Sequence, residues 1–197
     1  SALSDKVYVQ KILDVYNIRV YEYLYRNPVS GIPRIINYYE DGNQLVVIEE
    51  YISGTSLQEK IDNSDLSVSD IRSYMIMLCN ILEALHSMTP PIIHRDIKPS
   101  NIIITSYNYA MLLDFNAAKQ FSGQHESDTV LIGTPGYAAP EQYGFGSSSP
   151  KTDIYSLGIV LREMLGSITL TSDIAPILHR LNLIADRCTQ MTPAARY

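Results

Sequence analysis

The feature that most constrains this chain is a polar run set between apolar segments: Ile93-His94-Arg95-Asp96-Ile97-Lys98-Pro99-Ser100-Asn101. Upstream, Ile71, Tyr74, Leu78, Leu82 and Leu85 recur every three to four residues, which predicts a long helix with one apolar face. Ser67 with Asp70 reads as its capping box, with Asp in place of the usual Glu, and Pro90-Pro91 ends it. Downstream, Ile102–Thr105 and Ala110–Leu113 read as short apolar strands joined by a turn around Asn108, and Asp114 closes the second. Two carboxylates and the Asn101 amide oxygen on adjacent strand ends make a hard oxygen site suited to Mg²⁺ and phosphate. Lys98, two residues after Asp96, can face a transferring phosphoryl group. Such a transfer needs positioning, charge neutralisation and one group that orients the attacking hydroxyl.

Composition narrows the classes. With 46% apolar and 18% charged residues the chain is globular rather than disordered. Its net charge of −6 argues against a general nucleic-acid binder, which needs clustered Lys and Arg. No apolar run approaches the roughly 20 residues that span a bilayer, and no signal-peptide pattern opens the sequence. The segment is therefore expected to be soluble, without membrane contact of its own. Cys79 and Cys188 are too few for a disulfide framework and read as buried small hydrophobes in a reducing compartment. The four histidines show no metal-ligand spacing.

The remainder reads as mixed strand and helix, then mostly helix. Val7–Leu13 is β-rich, and Val15–Arg26 has near-helical spacing. Ile35–Tyr39 and Leu45–Tyr51 flank Glu40-Asp41-Gly42-Asn43, a strong hairpin signal. Further helices are predicted from about Thr152 to Leu165 and from Ile174 to Gln190. The composition shift near residue 53 marks a lobe boundary.

His94-Arg95-Asp96-Ile97-Lys98-Pro99-Ser100-Asn101, with Asp114-Phe115 following 13 residues after Asn101, resembles the catalytic loop and metal-binding strand of the protein kinases. Lys98 resembles the serine/threonine branch. The resemblance implies that Asp96 accepts or orients the substrate hydroxyl proton, that Lys98 contacts the γ-phosphate, and that Asn101 and Asp114 hold Mg²⁺. Gly133-Thr134-Pro135-Gly136-Tyr137-Ala138-Ala139-Pro140-Glu141 resembles the end of an activation segment, where Thr134 would contact the catalytic aspartate. Asp153–Gly158 resembles the helix that anchors the catalytic loop, and Arg196 the late arginine that pairs with Glu141. The phrase GTPGYAAPEQ most resembles bacterial kinases of the eukaryotic-like type. Arg95 before Asp96 implies a phosphate on the activation segment, bound with help from Lys119. Ser127 and Thr129 are the best-placed acceptors; the alternative is an ordinary polar loop.

The resemblance also implies a nucleotide site. Lys11 would meet the α- and β-phosphates, Val9 the adenine, and Glu50 and Ile52 the hinge, with Ile103 completing the set. A helix glutamate should face Lys11, but the pattern puts Asn17 there. Glu22 and Glu49, the latter in the gatekeeper position, are the candidate partners of Lys11; the alternative for Glu49 is a one-residue bulge that turns it to solvent. Asn116 replaces the glycine of the Asp-Phe-Gly triplet. Asn tolerates left-handed backbone angles, so the change is compatible with metal binding and is expected to restrict the inactive flip of Phe115.

The fold expected is α+β and bilobal, like the protein kinases. A truncated, small β-rich N-lobe (1–52) lacks the glycine-rich loop, since the first glycine is Gly31, and a mainly helical C-lobe (53–197) lacks the last helix. The function expected is transfer of the ATP γ-phosphate to Ser/Thr hydroxyls of protein substrates, with Mg²⁺ or Mn²⁺, self-phosphorylation included. Weak ATP affinity and low turnover are expected without a phosphate-covering loop. The setting expected is cytoplasmic, including the cytoplasmic domain of a longer membrane-anchored protein. A pseudokinase scaffold is the alternative, opposed by the intact Asp96, Lys98, Asn101 and Asp114. An aminoglycoside-type phosphotransferase is disfavoured by the GTPGYAAPE segment.

Overall fold

The computed structural model describes residues 6–121, 133–144 and 146–197. Strands β1 (Tyr8–Leu13), β2 (Ile35–Asp41) and β3 (Gln44–Glu50) form one antiparallel sheet in the order β1-β3-β2. The Asp-Gly signal becomes a two-residue hairpin loop: Asp41 pairs with Gln44, and Gly42 takes a φ of +60°, a conformation glycine adopts without a steric penalty. Helix α1 (Ile18–Arg26) starts three residues later than its spacing predicts, because Asn17 caps it. The Asn17 side chain accepts a hydrogen bond from the Arg19 amide at 3.2 Å. Val20, Tyr21 and Leu24 form the buried face of α1. With Leu13, Ile35, Leu45 and Val47 of the sheet they belong to the main hydrophobic core.

The rest of the described chain is mainly helical. β4 (Thr55–Ser56) leads into α2 (Leu57–Asp62) and then the long α3 (Val68–His86). The capping box forms as the sequence predicts: the Asp70 amide donates to the Ser67 hydroxyl, and the Ser67 amide donates back to the Asp70 carboxylate. Ile71, Tyr74, Leu78, Leu82 and Leu85 are all buried, with Ile81 beside them. Each such side chain contributes about 1.5–3 kcal/mol by leaving water. Cys188 is buried, but Cys79 is exposed, contrary to its expected place in the core. It falls on the polar side of α3, one residue past Leu78, where the helical period turns it away.

β5 (Ile92–Ile93) precedes the polar loop and pairs with β8 (Lys119–Gln120). β6 (Ile102–Ile104) pairs with β7 (Ala110–Leu112) and with β4. The two parts meet closely at Gly31, whose carbonyl accepts from the Leu112 amide at 2.8 Å. Its φ is +90°, and a Cβ there would lie 2.4 Å from Ile81 Cγ1, so only glycine fits. The fold is α+β, a small sheet with its helix set against a helical body.

Helix α4 (Pro150–Gly166) begins at a Ser149–Thr152 capping box and packs α5 (Ala175–Cys188). Thr152 also donates its hydroxyl to Glu141 Oε1 at 2.8 Å. Arg196 grips the same carboxylate with its two terminal nitrogens, Nη1 and Nη2, at 2.7 and 2.9 Å, and donates further to the Gln190, Lys151 and Met191 carbonyls. The pair is buried, so its worth rests on every donor being satisfied. Arg196→Met would leave Glu141 buried without a cation. It is expected to destabilise the chain by about 3–5 kcal/mol in urea unfolding, with Arg196→Lys recovering only part because the fork is lost.

Candidate active site

The polar loop is held from below by one carboxylate. Asp153, fully buried in the first turn of α4, accepts from the His94 amide at 2.9 Å and the Arg95 amide at 2.8 Å, and contacts His86 Nε2 at 2.8 Å. The helix dipole favours a negative charge in that turn. Arg95 takes a φ of +67°, a strained conformation for a long side chain. Both its backbone polar groups are held, the amide by Asp153 and the carbonyl by Gln142 Nε2 at 2.8 Å. Its guanidinium Nε donates to the Ala117 carbonyl at 2.6 Å.

His94 joins the loop to the strand end that carries Asp114. It is fully buried, its Nε2 donates to the Leu113 carbonyl at 2.9 Å, and its Nδ1 accepts from the Asp96 amide at 3.3 Å. Its ring meets Phe115 edge-to-face at 4.7 Å. Burial pushes its pKa below the ordinary value, against the pull of Asp153, so the ring is neutral and carries its proton on Nε2.

Asp96, Lys98 and Thr134 form a triangle. Thr134 donates to Asp96 Oδ1 at 2.6 Å. Lys98 Nζ lies 2.9 Å from its Oδ2, and Asn101 Nδ2 donates to Oδ2 at 3.1 Å. Lys98 also donates to the Thr134 hydroxyl at 2.7 Å. Partial burial alone would raise the Asp96 pKa, but the Thr134 hydroxyl and Lys98 outweigh it and hold the carboxyl below its ordinary value. Asp96 is therefore an ionised acceptor at neutral pH.

Beside the triangle a cleft of about 550 Å³ opens between the sheet and the helical body. It gathers Val9, Lys11, Glu50, Ile52 and Ile103, together with Glu49, Asn101 and Asp114. Lys11 Nζ lies 2.8 Å from Glu49 Oε1 and 3.8 Å from Asp114 Oδ1. Glu49 is buried, and the one-residue bulge falls in β2 at Ile36 rather than in β3. Glu22 is not a partner of Lys11: it faces outward on α1 and pairs with Arg26 at 2.7 Å. Asn17 is not one either, because it caps the helix. Ser127 and Thr129 lie outside the described residues.

The donor set fits a hard cation. Asp114 Oδ1 is a buried oxygen with no hydrogen-bond partner; Lys11 at 3.8 Å offsets its charge without bonding it, so it retains a lone pair for a cation. Asn101 commits its amide nitrogen to the Asp96 carboxylate and carbonyl, so its oxygen is the group it can offer a metal. Among the described residues no group of three or more His, Cys, Asp and Glu is placed to hold a metal ion. A site of one carboxylate and one amide suits Mg²⁺, which keeps waters and shares substrate phosphates.

Two residues make a contact that short-range spacing does not reveal. Asn116 has no positive φ; the left-handed residue is Asp114, at +67°. The left-handed tolerance of Asn116 is thus unused, and its side-chain oxygen accepts instead from Tyr21 Oη on α1 at 2.8 Å. Tyr21 is buried, and burial with the charges of Asp114 and Glu49 keeps its phenol protonated, so it is a reliable donor. A tyrosine on the apolar face of an amphipathic helix is the signal that could have found it, since a buried phenol needs a partner.

Tyr21→Phe leaves the Asn116 oxygen without its donor and is expected to cost about 1–3 kcal/mol in urea unfolding. For His94 the folded pKa lies below the unfolded one. Its contribution is full above about pH 6.5 and is lost as pH falls from there toward the folded value. The unfolding midpoint should fall between pH 7 and pH 5, and this fall should shrink in His94→Gln.

Comparison with known proteins agrees with the geometry. The model of the protein kinase domain matches residues 17–193. A putative leucine-rich repeat receptor-like serine/threonine-protein kinase of Arabidopsis thaliana is 34% identical over 151 residues, which is 73% of this chain and 17% of that protein. A probable LRR receptor-like protein kinase of the same plant is 36% identical over 66% of this chain and 16% of its own length. Serine/threonine-protein kinase D of Synechocystis is 31% identical over 85% of this chain and 36% of its own length. The chain thus spans well under half of each relative. Since the family match takes in every member of the cluster from Asp96 to Thr134, this chain belongs to the protein kinase family.

Proposed function

We propose that this chain is an ATP- and Mg²⁺-dependent serine/threonine kinase that phosphorylates protein hydroxyls, its own included. The observation that carries the reading is the Asp96–Lys98–Thr134 triangle beside the orphan oxygen of Asp114. Asp114 and the Asn101 amide oxygen would hold Mg²⁺, which supplies charge neutralisation to the phosphates when bound. Asp96, kept ionised, orients the acceptor hydroxyl and takes its proton late in the transfer. Lys98 balances charge on the transferred group. Thr134 fixes the carboxylate by donating to it, and so ties the substrate-facing segment to the catalytic loop. Val9, Glu50, Ile52 and Ile103 line the end of the cleft where adenine would lie, and Lys11 meets the α- and β-phosphates.

The reading extends to setting. Among the described residues no helix is long and apolar enough to cross a membrane. A cytoplasmic place, alone or as the cytoplasmic domain of a longer anchored protein, supplies ATP. A bacterial source rests on the GTPGYAAPEQ phrase and on one Synechocystis relative, beside plant relatives of 34–36% identity.

The test is γ-phosphate transfer from Mg-ATP to a generic basic protein, with phosphopeptide mass spectrometry on the chain itself. Wild type should transfer phosphate, and Asp96→Asn should lose about 10²–10⁴-fold. Modification should appear on Ser127 or Thr129 in wild type and not in Asp96→Asn. Nucleotide binding without transfer would replace this reading with that of a nucleotide-binding scaffold.

A further inference from the structure

We propose that Glu49 on β3 is the positioning residue for Lys11, so that the phosphate-contacting lysine is set by the sheet and not by helix α1. The inference rests on reading the cleft as a nucleotide site. Its first support is geometry: Lys11 Nζ and Glu49 Oε1 are 2.8 Å apart, and Glu49 is only 8% exposed. A buried carboxylate without a cation is expensive, so the contact holds both side chains in place.

Its second support is register. β1 and β3 pair antiparallel, with Val9 opposite Glu49 and Lys11 opposite Val47. Positions 47 and 49 share one face of β3, so Lys11 and Glu49 are diagonal neighbours on that face. Backbone hydrogen bonds of the sheet hold their spacing.

Its third support is what α1 offers. The helix carries one acidic residue, Glu22, and that one is committed to Arg26 on the outer face. Among the described residues, the carboxylates within 4 Å of Lys11 are those of Glu49 and Asp114. α1 reaches the site by another route, from Tyr21 Oη to Asn116, two residues past Asp114. A counter-charge on a helix is lost when the helix swings; one on a neighbouring strand is not. The lysine is therefore in place whatever the position of α1, and a shift of α1 would be felt at the Asp114 segment instead.

The experiment measures Mg²⁺-dependent binding of a fluorescent ATP analogue, and urea unfolding without nucleotide, for wild type, Glu49→Gln, Glu49→Asp, Glu22→Gln, Lys11→Met and the Lys11→Met/Glu49→Gln double variant. Glu49→Gln should weaken nucleotide binding roughly tenfold or more, the scale of a charged hydrogen bond. Glu49→Asp should recover part of this, and Glu22→Gln should stay within about twofold of wild type. In the Lys11→Met background Glu49→Gln should add nothing, and the unfolding cycle should show coupling between the two. Unchanged affinity in Glu49→Gln, or an equal loss with and without Lys11, would overturn the assignment. If wild type bound no nucleotide, the kinase reading of the cleft would fail. The unfolding cycle would then still decide the pairing: coupling supports Glu49 as the partner, and its absence overturns it.

Discussion

The buried carboxylate of Asp153 is the contact on which the site depends. It lies in the first turn of α4 with no exposure, and it accepts from two consecutive backbone amides of the catalytic loop. Because the donors are main-chain groups, the contact sets the path of the loop rather than the rotamer of a side chain. The positive φ of Arg95 follows from that path, since the amide and carbonyl of this residue are both held in place. A strain of about 1–3 kcal/mol in such a residue persists only where its surroundings over-determine it. Asp96, the next residue along, inherits its placement from α4.

Charge balance explains the rest of the cleft. Asp96 is served by Thr134, Lys98 and Asn101, and stays ionised although it is partly buried. Lys11 sits at 2.8 Å from Glu49 and at 3.8 Å from Asp114 Oδ1, which leaves that oxygen buried with an ion pair but no hydrogen bond. The one carboxylate oxygen left wanting among the described buried side-chain atoms is the one a cation would complete. His94 links the two halves of this arrangement through backbone groups on both sides of its ring, and its neutral form is what lets it donate at one nitrogen and accept at the other.

Features made by neighbours in sequence were legible beforehand. The Ser67–Asp70 box, the Gly42 hairpin and the α3 apolar stripe each depend on residues within a turn or two, so spacing is enough to read them. The cluster at Asp96, Lys98, Asn101 and Asp114 was legible because one loop and the strand end after it carry all four. Less could be read where a side chain chooses among distant partners. Glu22 and Glu49 are both candidates for Lys11 on sequence, because spacing does not say how far α1 stands from β1 or which strand carries the bulge. Asn116 offers backbone tolerance on sequence, yet its side-chain contact comes from a tyrosine 95 residues away. Cys79 lies in an apolar-looking stretch, yet the α3 period turns it outward.

By itself the sequence determined the chemistry on offer: an ionisable aspartate with a lysine two residues on, an amide and a second aspartate on adjoining strand ends, and the helices and hairpin that carry them. Those follow from short-range spacing and side-chain type. Tertiary structure decided which charges pair. A carboxylate's worth to a lysine depends on distance and burial, and both arise only when β1, β3 and α1 pack together. That is why Glu49 faces Lys11, why Glu22 does not, and why Asp114 keeps a buried oxygen with no hydrogen-bond partner.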